Sequence, residues 1–202
     1  AVFGGAKVST KIKVIEYYLK KFGKVIIGGA MANTFLSSKK IDIGVSVYEK
    51  SMQKTAKSLL DYYNDKISLP EDVVTIDKSK KMQLRLINDV KKDEKIFDIG
   101  PQTRMKYFGF VEECSCLLWN GPLGFYEQKP FDEGTNFVIK AVKNNNNKNF
   151  FSVAGGGDTI SMLNHAKASD YFSFISTGGG AFLEFIQGSG LPGLDSLNDW
   201  KI

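Results

Sequence analysis

Cysteine is scarce in this 202-residue chain, with only Cys114 and Cys116, and no second Cys or His cluster completes a metal site around them. Two apart in an apolar run, they should point the same way along a strand and sit in the core as reduced thiols, in a reducing, intracellular, cytoplasmic setting. Histidine is scarcer still: His165 stands alone, and no Ser, Cys or carboxylate motif casts it as a base, so a structural role is expected. Arginine occurs twice, at Arg85 and Arg104. The formal charge of +5 and pI near 9.0 admit an anionic partner, but the lysines are spread along helical and loop segments with no recognisable nucleic-acid motif. Direct nucleic-acid binding is therefore not expected. No apolar stretch reaches the roughly 18 residues of a membrane span, and no leader with a basic start and apolar middle opens the chain, which predicts a soluble protein with no membrane partner.

Glycine is what the chain has in quantity. Half of its 20 glycines fall in four clusters, Gly4-Gly5, Gly28-Gly29, Gly155 to Gly157 and Gly178 to Gly180. Each cluster closes a segment that reads as a strand (Ala1 to Phe3, Val25 to Ile27, Phe150 to Ala154, Tyr171 to Ile175) and opens one that reads as a helix. In an open parallel sheet, ligands bind beyond the carboxyl ends of the strands. Helix N-termini there carry unpaired N–H groups and partial positive charge, and glycine lets a bulky anion approach the backbone. The pattern predicts a phosphorylated ligand.

The rest of the chain keeps the same rhythm. Val8, Ile12, Ile15, Leu19 and Phe22 recur at helical spacing before Gly23, predicting a helix that starts at the Lys7 loop. Lys7 and Lys11 would then share one face and reach one anion. Further helices are expected at Met31 to Leu36, Tyr48 to Tyr63, Gln102 to Glu112, Asp132 to Lys143 and Thr159 to Ala166, and further strands at Asp72 to Ile76, Lys95 to Ile99 and Ser115 to Trp119. Between Asp77 and Lys95 a small β excursion at the sheet's edge is expected. The Asn144 to Asn147 run reads as a solvated surface turn. Alternating strands and helices predict an α/β fold, a Rossmann-like parallel sheet with helices on both faces, in a single domain spanning residues 1–202. Only three apolar residues precede Gly4, fewer than the roughly 5–6 of an average strand, so the chain is expected to be cut from a longer protein.

Six motifs occur in order: GGAKVSTKI from Gly4, IIGGAMANTFL from Ile26, DIGPQT from Asp98, WNGPLGFYE from Trp119, SVAGGGDT from Ser152 and ISTGGGAFLE from Ile175. Together they resemble the carboxy-terminal, nucleotide-binding domain of the phosphoglycerate kinase family over essentially the whole chain. The resemblance implies half of a glycolytic phosphotransferase that moves phosphoryl reversibly between 1,3-bisphosphoglycerate and MgADP, giving 3-phosphoglycerate and MgATP. It also implies that the amino-terminal, 3-phosphoglycerate-binding half is absent, that the isolated chain binds nucleotide with little turnover, and that the protein is a monomer.

Residue by residue, the resemblance implies that Lys7 steadies the transferring phosphoryl group, with Gly179 and Gly180 at the helix N-terminus facing it. Lys11 would hold the inner phosphates, and Gly156, Gly157 and Thr159 would donate backbone or hydroxyl groups to them. Asp158 reads from composition as a helix N-cap and by resemblance as the Mg²⁺ ligand, two compatible roles. Glu127 would accept the ribose hydroxyls, with Asn120 and Pro122 facing the nucleotide from the same loop. Gly5, Gly28, Gly29 and Phe97 would form the base slot, where two departures from the family pattern, Ala30 and Phe97, bear on base preference. The competing class is a dinucleotide-binding oxidoreductase domain, which shares glycines after strands. Against it, no G-x-G-x-x-G follows a strand with an acid about 20 residues later.

Overall fold

Nine strands divide between two sheets in a computed structural model that describes residues 1–21 and 23–198. The strands are β1 (Val2–Phe3), β2 (Val25–Ile27), β3 (Ile67–Ser68), β4 (Asp72–Ile76), β5 (Met82–Leu86), β6 (Lys95–Ile99), β7 (Cys116–Asn120), β8 (Phe151–Gly155) and β9 (Phe174–Ser176). Six pair in parallel in the order β3-β2-β1-β7-β8-β9. The helices are α1 (Ile12–Lys21), α2 (Gly29–Ser38), α3 (Gln53–Tyr62), α4 (Pro101–Glu112), α5 (Glu133–Asn144), α6 (Gly157–His165), α7 (Gly179–Ile186) and α8 (Pro192–Asn198).

Pleating assigns the strand residues to two cores. Register places Val2 beside both Ile26 and Trp119, and Trp119 beside Ala154, so these four share a face. They pack with Tyr107 and Val111 of α4, Val138 and Val142 of α5, and Met162 and Leu163 of α6. The alternate residues Phe3, Ile27 and Leu118 pack on the other face with Ile15 and Leu19 of α1, Phe35 of α2, Leu59 of α3 and Phe182 of α7. Burial on both faces explains why these strands are continuously apolar rather than alternating. The expected α/β fold, a Rossmann-like parallel sheet flanked by helices on both faces, is the one observed.

The second sheet is antiparallel, β5-β4-β6, and it corrects the expected edge excursion: β5 does not extend the parallel sheet but pairs with β4. The tight return at residues 77–81, where the Asp77 carboxylate accepts from Lys81 N, turns the chain back on itself and permits only an antiparallel partner. At its inner end, Asp72 of β4 accepts from Gln102 N (3.0 Å), Thr103 N (2.8 Å) and Thr103 Oγ1 (2.7 Å), capping α4 from another strand.

Several boundaries shift for local reasons. The first helix begins at Ile12, not at the Lys7 loop, because residues 8–11 form a turn closed by Lys11 N donating to Val8 O. Its expected member Phe22 lies outside the described residues. The helix expected from Tyr48 starts with a 3₁₀ turn at Lys50–Met52, and the last strand starts at Phe174 because a 3₁₀ turn occupies Ser169–Tyr171. β3, two residues long, carries too little pattern to be recognised. The cysteines are not core residues: Cys114 precedes β7 and is half-buried, and Cys116 is exposed at the strand's first position. Beyond α7 the chain forms α8, and residues 199–202 lie outside the described residues. Among the described residues, no helix is long and apolar enough to cross a membrane.

Candidate functional site

The carboxyl ends of β1, β2, β7, β8 and β9 all meet glycine, but for two different physical reasons. At the sheet's centre the glycines let backbones touch. A Cβ on Gly4 would lie 2.0 Å from Pro122 O, one on Gly29 (φ +60°) 2.7 Å from Gly5 N, and one on Gly121 (φ +96°) 2.5 Å from Gly4 O. The contacts are hydrogen-bonded: Gly4 N donates to Asn120 O, Gly5 N to Pro122 O and Gly29 N to Leu123 O. Gly28 backs onto Leu123, whose Cδ2 a Cβ would meet at 2.3 Å, so it supports the site from behind without lining it. At the helix N-termini the situation is opposite. A Cβ on Gly157, Gly179 or Gly180 would meet nothing within 4 Å, and of the three only Gly179 (φ +53°) needs glycine for its backbone.

Between the central glycines, α2 and β6 lies a cleft of about 430 Å³. Gly5, Gly29, Phe97, Pro122, Glu127 and Asp158 of the expected site residues line it, together with Ala30. The Phe97 ring sits edge-on to Phe125 (5.9 Å between centroids) and tilted against Phe131 (4.8 Å), with Lys95 Nζ 5.2 Å above it. Glu127 is exposed at the rim.

Lys11 reaches inward rather than pairing with Lys7. Its Nζ donates to Gly4 O (2.8 Å) and lies 3.4 Å from Asn120 O, at the carboxyl ends of the two central strands. Burial pulls its pKa down to about 8, against the opposing pull of the Asp158 carboxylate. Lys7, ahead of the turn, stays exposed. Partial burial pushes the neighbouring Glu49 carboxyl up, but hydrogen bonds from Ser9 and Val8 and the Lys7 charge outweigh it and hold it below its ordinary value. Helical spacing therefore does not bring the two lysines onto one face, because no helix joins them.

Gly156 (φ +101°), not Asp158, is the N-cap of α6, and Asp158 is the helix's second residue. Its carboxylate is exposed, and no hydrogen bond engages it among the described residues. The Thr159 side chain is fully committed within the fold: its hydroxyl donates to Gly155 O and accepts from Gly121 N, both at 2.8 Å. Only the first backbone N–H groups of α6 point outward without helical partners. Asn120 also faces inward, its Nδ2 donating to Gly155 O at 2.6 Å, while its buried Oδ1 has no partner among the described residues.

Several cleft residues carry no signal of their own in the sequence. Val47 lies in an irregular segment, and Asn33, whose Nδ2 donates to Val47 O, reads as an ordinary position of α2. Phe125 and Asp98 fall inside recognisable motifs. An acid between Phe97 and Ile99 in an apolar strand was a cue to a buried partner, and Arg104 supplies it.

The family model described as phosphoglycerate kinase matches residues 1–189. The chain is 41% identical over 208 residues to phosphoglycerate kinase of Sinorhizobium fredii, covering 100% of this chain and 52% of that protein. To that of Zymomonas mobilis it is 42% identical over 204 residues, covering 98% and 51%. Solved phosphoglycerate kinases share the fold: that of Coxiella burnetii at a TM-score of 0.90 and 36% identity, and that of Pyrococcus horikoshii at 0.83 and 31%, each over 98% of this chain and 51% of the other. The chain spans about half the length of the curated relatives it matches. With a match this long, and the expected motifs at the strand ends, the chain belongs to the phosphoglycerate kinase family.

Proposed function

We propose that residues 1–202 form the nucleotide-binding half of a phosphotransferase that moves phosphoryl reversibly between 1,3-bisphosphoglycerate and MgADP, giving 3-phosphoglycerate and MgATP. The observation that carries this reading is the contrast among the glycines. Gly4, Gly29 and Gly121 at the central strands are required by backbone packing, whereas Gly157 and Gly180 border open space that the fold alone leaves unexplained. Glycine inside a helix costs up to about 1 kcal/mol relative to alanine and less at its start, and a phosphate against the N–H groups of α6 and α7 gives that cost a purpose.

The rest of the site fits this orientation. The apolar cleft between Phe97, Val47 and Pro122 suits a flat base, and Glu127 at the rim offers a carboxylate to ribose hydroxyls. Phosphoryl transfer asks a protein mainly to position groups and neutralise charge. Lys11 can leave its two carbonyls for an inner phosphate, while the exposed Lys7 can serve the transferring group near Gly179 and Gly180. The exposed Asp158 carboxylate, one hard oxygen donor at the end of the cleft, fits Mg²⁺, which takes one or two carboxylates and completes its shell with water and phosphate oxygens. When bound, that ion neutralises charge on the nucleotide's phosphates. Thr159 contributes its backbone N–H rather than its hydroxyl.

The oxidoreductase alternative draws no support from a family match over residues 1–189. The reading carries with it a cytoplasmic, monomeric protein whose three-carbon substrate binds only with the other half present. Calorimetry with MgADP on the 202-residue chain, paired with an assay for phosphorylation of 3-phosphoglycerate, is the test. Binding without appreciable turnover is expected, and NAD binding more tightly than ADP would overturn the reading.

A further inference from the structure

Asp98 is the buried ionisable group whose surroundings bear most directly on the cleft. Its side chain is wholly buried, and both oxygens are used: Oδ1 accepts from Ile99 N (2.8 Å), and Oδ2 accepts from Gly134 N (2.8 Å) and from Arg104 Nη2 (3.1 Å). Arg104 in turn donates through Nε to Ile99 O (2.9 Å) and pairs with Glu133. The carboxylate also occupies the space left by two glycines. A Cβ on Gly124 would lie 2.2 Å from Oδ1, and one on Gly134 2.3 Å from it.

Those two glycines bracket the segment that forms one wall of the cleft. Between them lie Phe125, Tyr126 and Glu127, while Phe97, the residue before Asp98, adjoins this segment in the lining of the cleft and accepts from Phe125 N through its carbonyl (2.8 Å). A second tie, Leu123 N donating to Thr135 Oγ1 (3.1 Å), holds the same segment to α5. One carboxylate thus joins β6 to the start of α5 and to α4 by hydrogen bonds and packs against Gly124 of the loop between β7 and α5.

We propose that Asp98 is a positioning residue for the base and ribose end of the nucleotide, setting the place of Phe125 and Glu127 relative to Phe97. This rests on the nucleotide-binding reading above. Asparagine cannot replace it, because an amide offers one accepting oxygen where two are needed and turns an N–H₂ toward donors. The phosphate end, built from Lys11, Asp158 and the start of α6, makes no hydrogen bond with Asp98.

The test separates the two ends of the site. Affinities of the 202-residue chain for MgADP and for magnesium tripolyphosphate are measured by calorimetry, well below the unfolding temperature, for the wild type and Asp98→Asn. The expected result is about a tenfold loss for MgADP with tripolyphosphate changed less than about twofold. Unchanged MgADP affinity would overturn the proposal, as would equal losses for both ligands, which mark general loosening. Gly124→Ala keeps Asp98 but drives the loop off it, and should give the same split; it carries the test if Asp98→Asn does not fold. A wild type that binds neither ligand removes the nucleotide reading itself, whereas a wild type that binds both with no split in either variant removes only this proposal.

Discussion

Replacing Lys11 with methionine should weaken nucleotide binding while leaving the fold as stable as before, or more so. Lowering its pKa from 10.5 to about 8 corresponds to about 3 kcal/mol against the charged ammonium in the folded state. Methionine keeps the packing of the stem without that cost. The loss on the other side is the donor to Gly4 O, and leaving a buried carbonyl unpaired costs about 1–3 kcal/mol. The balance is an unfolding free energy unchanged or raised by up to about 2 kcal/mol. MgADP affinity should meanwhile fall about 10- to 100-fold, the worth of hydrogen bonds from a charged donor.

The same group predicts opposite pH trends. Above about pH 8 the folded chain releases the Lys11 proton while the unfolded chain holds it to 10.5, so folding stability gains from this group across that window. A bound phosphate keeps the proton on, so affinity should fall by up to about tenfold per pH unit above 8. Urea unfolding and calorimetry across the alkaline range measure both. A Lys11→Met chain that loses more than about 2 kcal/mol of stability, or a wild-type affinity that stays flat above pH 8, would refute the reasoning.

Gly29→Ala, with φ +60° and backbone atoms within 3 Å of the new methyl, should cost several kcal/mol in urea unfolding; Gly157→Ala should be neutral or gain up to about 1 kcal/mol yet lose MgADP affinity by calorimetry. Thr159→Val removes a buried hydroxyl paired at both ends and should lower stability by about 2–3 kcal/mol, with MgADP affinity nearly unchanged in the folded protein. Burial, with a smaller push from the Glu133 charge, raises the Asp98 carboxyl from 3.8 to about 7 against the hydrogen bonds from Gly134 and Ile99 and the Arg104 charge that favour its ionised form, so the folded state takes up a proton the unfolded chain lacks within that window. Its contribution to stability is therefore lost as pH rises from about 4 to 7, and unfolding scans of Asp98→Asn should lack that component.

Periodicity made the parallel sheet and most helices legible, because strands buried on both faces and amphipathic helices each leave a strong pattern. It could not show that β4 and β6 leave that sheet, since an apolar strand looks alike in either pairing and the tight return at 77–81 decides. At the site, residue types announced the phosphate end better than side-chain directions. Asp158 and Gly157 stand open at the start of α6, but Thr159 and Asn120 turn inward to join β7 and β8, which only the packing of the two strand ends dictates. Lys7 and Lys11 show the same limit: a spacing of four has meaning only inside a helix, and the turn at residues 8–11 intervenes.

The two kinds of glycine should leave separate marks when every position is substituted and variants are sorted. Sorting for cellular abundance should purge changes at Gly4, Gly29 and Gly121, where added atoms strike backbone, and spare Gly157 and Gly180, where they meet open space. Sorting for nucleotide capture should purge both sets. The difference between the two screens would outline the bound phosphates from mutational tolerance alone.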